Sequence, residues 1–305
     1  MKKFVFIGCF CAACLSAFAA EKVVDKAGRA PKWVGGTEQG FLIVSGEGGD
    51  LETAKDVAFM AVQKEILLSI AAEVKANTSH TLVDETRNNS SDIASLYMSK
   101  IETKGANIPF LQRVTKSNIA DSYWEKLKDG KRIYYRYHIK YPFSKFDLEY
   151  LVDAFNEQER KLDEQVQAFA DDDFTAYNSI EEMTARVSEL RMFRKSLMDG
   201  DRRVATCGAI LDRYTSLLGD ITLRPIEVSR EQVVFAPFFG GKQLTTNKKP
   251  SLKTNCLTQM AYATQDGLCV VDFDFATACY PDEQNYLEVV FAVDSKKISQ
   301  KFFIK

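Results

Sequence analysis

Asp129-Gly130-Lys131-Arg132-Ile133-Tyr134-Tyr135-Arg136-Tyr137-His138-Ile139-Lys140-Tyr141-Pro142 opens on a turn signal and then alternates residue by residue. Asp-Gly between two extended runs marks a two-residue hairpin, because glycine accepts the positive φ that such turns require. Period-two alternation puts Ile133, Tyr135, Tyr137, Ile139 and Tyr141 on one face of the return strand. Arg132, Tyr134, Arg136, His138 and Lys140 take the other. The strand leading into the turn is expected from about Gln112 to Leu127. Upstream, the apolar run Phe41-Leu42-Ile43-Val44 between Gly40 and Gly46 reads as a buried strand. Asp50 can then cap a helix, and Val57, Ala58, Ala61, Val62, Ile66, Ile70 and Val74 recur at three- and four-residue steps. The spacing predicts one helix over roughly 51–76, laid on a small antiparallel sheet. Glu21 to Ala30 reads as a polar linker.

Beyond the hairpin the period lengthens. Ser144 with Asp147 forms a capping-box pattern ahead of Leu148, Leu151, Val152, Phe155, Leu162, Val166 and Phe169. Ser179 with Glu182 starts another helix, and a further stripe runs from Val204 to Leu218, so the pair reads as a helical hairpin. From Ile221 the period returns to two, with candidate strands at 222–229, 232–238, 251–257, 268–275, 285–294 and 298–304. Short strands at this spacing predict an immunoglobulin-like β-sandwich. Cys269, Val271, Phe273 and Phe275 should face its core, with Val270, Asp272 and Asp274 outward. The fold class is therefore α+β and multi-domain: residues 31–145, a helical segment 146–219, and a sandwich 221–305.

Forty Lys+Arg against forty-two Asp+Glu leave a net charge of −2, which offers no electrostatic footprint for nucleic acid. Met1-Lys2-Lys3, the apolar stretch Phe4 to Leu15 and Ala17-Phe18-Ala19 together form a secretory leader over residues 1–20, with cleavage near Ala19. Cys14 after Ala12-Ala13 is the alternative, lipidated start, and membrane association would follow only from it. Cys207, Cys256, Cys269 and Cys279 remain after cleavage. An exported compartment permits disulfides, and four cysteines allow three pairings. A bridge, where one forms, should involve Cys279, with its partner open and packing the alternative role for each of the others.

Few patterns carry chemistry. Gly46-Glu47-Gly48-Gly49 lies between a strand and a helix but lacks the third glycine of a dinucleotide fingerprint and the ending of a P-loop, so it reads as a turn. Asp171-Asp172-Asp173 falls between helices, where acids cap and solubilise. Asp272 and Asp274 read as a solvated edge; a Ca²⁺ site there would need further loop oxygens. His80 and His138 have no visible partners, and no serine has a nucleophile-elbow context. No catalytic residue, cofactor or metal is expected. Alternating Tyr and Arg is ordinary β-strand composition, and the one candidate interaction surface is this basic-aromatic strand, Arg132, Tyr134, Arg136, His138 and Lys140, with Trp124 across the hairpin.

Residues 31–145 resemble the lipoprotein-20 family of bacterial envelope proteins. The likeness rests on Pro31-Lys32-Trp33-Val34, the Gly46-Glu47-Gly48 turn after a strand, the alanine-rich helix from Ala54 to Ala76, and a basic-aromatic strand ending in Tyr141-Pro142. It implies an envelope location and an α+β domain, with no catalytic residue to carry over. The expectation is a non-catalytic exported protein of the periplasm or outer membrane, binding other envelope proteins or cell-wall polymers. A periplasmic hydrolase or solute-binding protein with a site between domains is the alternative.

Overall fold

The computed structural model describes residues 21–78, 96–101, 108–277, 279 and 282–304. The predicted leader, with Cys11 and Cys14, lies outside them, as does His80. The protein mixes helix and sheet, 39% and 35%, and its named strands all pair antiparallel. It divides into two compact units, Met1–Gln158 and Glu159–Lys305. Among the described residues no helix is long and apolar enough to cross a membrane.

The first unit is built on four strands in the order β1-β3-β4-β2: β1 (Lys22–Lys26), β2 (Phe41–Gly48), β3 (Asp121–Asp129) and β4 (Arg132–Pro142). The supposed polar linker contains β1. Every residue of β1 is exposed, and a strand wet on both faces shows no apolar alternation to betray it. β3 starts at Asp121, later than expected, because residues 109–111 and 116–118 wind into 3₁₀ turns, the first opened by Pro109. The hairpin turn also shifts by one residue. Asp129 pairs with Arg132, so Gly130 and Lys131 are its central residues. Gly130 alone takes a positive φ, +57°, the first-position glycine of a type II′ turn.

Helix α1 (Leu51–Thr78) packs on β2 and β4 through Ala54, Ala58, Val62, Ile66 and Ile70, all buried at helical spacing. Asp50 caps it, its carboxylate accepting from Thr53 N at 2.8 Å. Close approach is set by glycine. β2 runs on through Gly48, and a Cβ at Gly46 would stand 2.1 Å from the Ala58 backbone nitrogen. Helix α2 (Lys145–Ala170) begins at the Ser144–Asp147 box, in which the Ser144 N–H donates to Asp147 at 2.8 Å and Asp147 N–H to Ser144 Oγ at 3.2 Å. Tyr97, Phe110 and Phe155 meet edge to face beside α2, their ring centres 5.1 to 6.0 Å apart.

In the second unit, α3 (Ile180–Ser196) and α4 (Arg203–Gly219) precede eight strands. These are β5 (Thr222–Val228), β6 (Gln232–Phe239), β7 (Lys242–Gln243), β8 (Ser251–Thr254), β9 (Leu257–Gln265), β10 (Leu268–Phe275), β11 (Tyr286–Val293) and β12 (Lys296–Phe303). One sheet has the order β5-β6-β10-β9, with β7 on β6; the other is β12-β11-β8. β9 had no counterpart among the expected strands, since most of its residues are exposed. One buried cluster includes Met183, Val187 and Tyr214 of the helices together with Phe235, Val271, Phe291 and Phe302 of the sheets. Phe235 of one sheet lies 5.2 Å from the ring of Phe302 in the other. Cys269, Val271 and Phe273 are buried there as expected, but Val270 is buried as well.

Polar groups tie this unit internally. Asp172, placed by sequence among capping acids, is a hub: the hydroxyls of Tyr177 and Tyr214 and the guanidinium of Arg186 all donate to it, at 3.0 to 3.1 Å. Burial and that carboxylate push both tyrosines up to about 12. Asp201 accepts from Nε and Nη2 of Arg203, each at 2.9 Å, and Glu159 accepts from Nη2 at 2.9 Å. Arg191 grips Asp294 with two nitrogens and holds its carboxyl down at about 2. Cys256 is bonded to Cys279, while Cys207 and Cys269 are free and buried. The packing role expected for Cys256 is thus replaced by a covalent one.

Candidate functional site

β4 carries the residues singled out in the sequence, and its register with β3 sorts them. Tyr123 pairs with His138, Glu125 with Arg136, Leu127 with Tyr134 and Asp121 with Lys140. Paired residues of antiparallel strands share a face, so these form one side of the sheet. Trp124 pairs with Tyr137 and stands on the other. The six candidate residues therefore do not make one surface: the structure brings together Arg132, Tyr134, Arg136, His138 and Lys140, and separates Trp124 from them.

Most of the face of the five is internally satisfied. Tyr134 is buried and donates its hydroxyl to Glu21, which pushes the phenol up to about 12. Arg136 donates to Glu47 at 2.6 Å and to Glu21 at 3.1 Å; these bonds outweigh its partial burial and strengthen its hold on its proton. Lys140 meets Glu38 at 2.7 Å and covers the ring of Phe41. Arg132 lies over Tyr134. Cations matched by carboxylates in this way leave little charge for an outside partner.

His138 differs from its neighbours. Its ring lies 6.0 Å from that of Tyr123 at a 32° tilt, and its Nε2 is buried without a hydrogen-bond partner. Desolvation lowers its pKa below the usual 6.5, with Arg136 adding to the effect and Glu125 opposing it. The folded state thus binds the proton less readily than the unfolded chain. His138 adds no penalty above the ordinary histidine range, and stability is lost as pH falls from about 6.5 through the lowered folded value. Chemical denaturation at pH 7.5 and 5.5 should show this acid-side loss in the wild type and a shallower one in His138→Gln. Equal slopes would remove His138 as the cause.

The opposite side of the sheet holds what the sequence did not assemble. Trp124 lies 6.0 Å from Tyr135, Lys126 Nζ stands 5.3 Å above the Tyr135 ring, and Lys55 Nζ of α1 lies 5.9 Å from Tyr137. The Tyr137 hydroxyl and Ser122 Oγ are hydrogen-bonded at 2.8 Å. α1 covers β2 and β4 on this side, and these rings and Lys126 stay half-buried beside it. A strip of three aromatic faces with ammonium groups can stack on flat or ring-shaped ligands while drawing negative charge. The signal for it was turn parity, since a two-residue turn fixes which residues face together.

The other motifs are accounted for without ligands. Gly46 and Gly48 receive the backbone of α1, so the glycine-rich stretch is filled by the protein itself. Asp173 accepts from Thr175 N at 2.9 Å as a cap, and Asp272 accepts from Gln232 at 3.0 Å. Among the described residues no group of three or more His, Cys, Asp or Glu is arranged to hold a metal ion. No family model, curated protein or solved structure matches the chain.

Proposed function

We propose that this protein is an exported, non-catalytic component of a bacterial cell envelope, with a lipoprotein-20-like first part, that binds cell-wall polymers or other envelope proteins. The observation that carries the binding role is the half-buried strip of Trp124, Tyr135 and Tyr137 with Lys126 and Lys55. Export is supported by the leader-like first twenty residues and by the Cys256–Cys279 bridge, a bond that persists in oxidising compartments. An immunoglobulin-like sandwich is supported by strand order. Taking β5, β6, β8, β9, β10, β11 and β12 as seven successive strands, the sheets run first-second-fifth-fourth and seventh-sixth-third, the arrangement of a constant-type immunoglobulin domain.

The test is co-sedimentation of the full chain with insoluble cell-wall polymer. Wild type should pellet with the polymer, and Trp124→Ala/Tyr135→Ala should bind about tenfold more weakly, a loss of ~1.4 kcal/mol across the two rings. Arg136→Gln should bind like wild type, since its charge is already matched. Wild-type protein that stays in the supernatant, or a double variant that pellets equally, would overturn the polymer reading.

A further inference from the structure

A strand at the edge of a sheet offers unpaired backbone donors and acceptors, and proteins commonly guard such edges with charge, proline or a bulge. Seven strands stand at sheet edges among the described residues: β1, β2, β5, β7, β9, β12 and β8. Six carry charge, the two-residue β7 through Lys242. β1 has Lys22, Asp25 and Lys26; β2 has Glu47; β5 has Arg224, Glu227 and a proline at 225; β12 has three lysines; β8 is four residues long and has Lys253. β9, Leu257-Thr258-Gln259-Met260-Ala261-Tyr262-Ala263-Thr264-Gln265, has no charge, no proline and no glycine.

Its one guard is a bulge. Asp272 pairs with Ala261 and Asp274 with Thr258, so two residues of β9 oppose Phe273, and Gln259 takes a φ of +51° to make room. The bulge protects the start of the strand and leaves Ala261–Gln265 regular, paired to β10 on its inner side. Ala261, Ala263, Thr264 and Gln265 are exposed. The segment holds its strand shape by pairing to β10, so a second strand could add at no cost in ordering it.

We propose that this edge is an interface between two copies of the chain, joined by antiparallel pairing of β9 with β9 about an axis near Ala263. Self-pairing is favoured over a charged partner strand because nothing on β9 selects a sign. It also sets no like charges opposite each other, as self-pairing of β12 or β1 would. The small side chains at Ala261 and Ala263 let the two strands approach without a steric step.

The full-length protein, freed of any leader, is tested by sedimentation velocity across the micromolar range. Wild type is expected at twice the monomer mass. Ala263→Lys brings two ammonium groups face to face across the axis and should run as a monomer with an unchanged far-ultraviolet spectrum. Ala263→Cys should give a covalent dimer on mild oxidation, visible on a non-reducing gel, and this keeps the proposal testable if the lysine variant fails to fold. A monomeric wild type overturns the proposal. So does a dimer that survives Ala263→Lys without forming the Ala263→Cys crosslink, because its interface would then lie elsewhere.

Discussion

Gly46→Ala is expected to cost the first unit about 3 kcal/mol or more, a large share of the ~5–15 kcal/mol that holds a domain folded. A methyl group at this position would stand 2.1 Å from the Ala58 nitrogen, 2.6 Å from the Val57 carbonyl carbon and 2.7 Å from the Ala58 Cα. All three are backbone atoms, so no rotamer change can relieve the clash. Helix α1 would have to lift from the sheet, and Ala54, Ala58, Val62, Ile66 and Ile70 would lose their burial together. Gly48→Ala repeats the conflict at 2.5 Å from the Ala54 nitrogen. Gly49→Ala is the control, since a Cβ there meets nothing within 4 Å. Urea denaturation of the three variants should separate the first two from the third; a Gly46→Ala protein within about 1 kcal/mol of wild type would mean that the backbone of α1 does not press on Gly46.

Asp201→Ala is the second large effect, and it acts on the other unit. The side chains of Asp201 and Arg203 are 2% and 5% exposed, so removing the carboxylate strands a buried guanidinium with Glu159 at 2.9 Å and the more distant Asp163 at 3.5 Å. Breaking a buried pair from one side costs about 3–5 kcal/mol, because the remaining charge has lost both water and its partner. Asp201 also accepts from the Arg203 backbone N–H at 2.9 Å, at the start of α4. Asp201→Ala/Arg203→Met should recover part of the loss by removing the stranded charge. A double variant less stable than Asp201→Ala would show that the guanidinium finds adequate partners without Asp201.

The parts of the fold that could be read from sequence were those with a one-sided environment. The three caps at Asp50, Ser144 and Ser179 were visible because a short polar side chain before an apolar stripe has one physical use; Ser179 Oγ accepts from Glu182 N at 3.1 Å. β10 was placed at 268–275 because one face is apolar and the other bears two aspartates. β1 and β9 were not, since edge strands bathed on both sides carry no alternation. Val270 was assigned outward by period alone, which cannot register burial on both sides of a sheet.

The candidate site shows the same division. Tyr, Arg and Lys in alternation identified β4 as notable, but composition cannot say that Glu21, Glu38 and Glu47 lie within bonding distance of its cations, because these acids lie 89 to 115 residues upstream. Trp124 is placed by the parity of the turn. A two-residue turn pairs positions whose numbers sum to an odd value, so Trp124 belongs with Tyr135 or Tyr137 and never with Arg136. The choice of Cys256 as the partner of Cys279 needed the third dimension.

The order of the strands has a consequence for the timing of folding. β3 and β4 form a local hairpin, but β1 and β2, at 22–26 and 41–48, must wait for docking sites that begin at residue 121. At a synthesis rate of ~10 residues per second, the first strands spend of the order of ten seconds with no sheet to join. Loop closure over such a span is slow. The nascent first unit therefore emerges with β1 and β2 unpaired, a state that a chaperone can hold, and it closes only when the hairpin arrives.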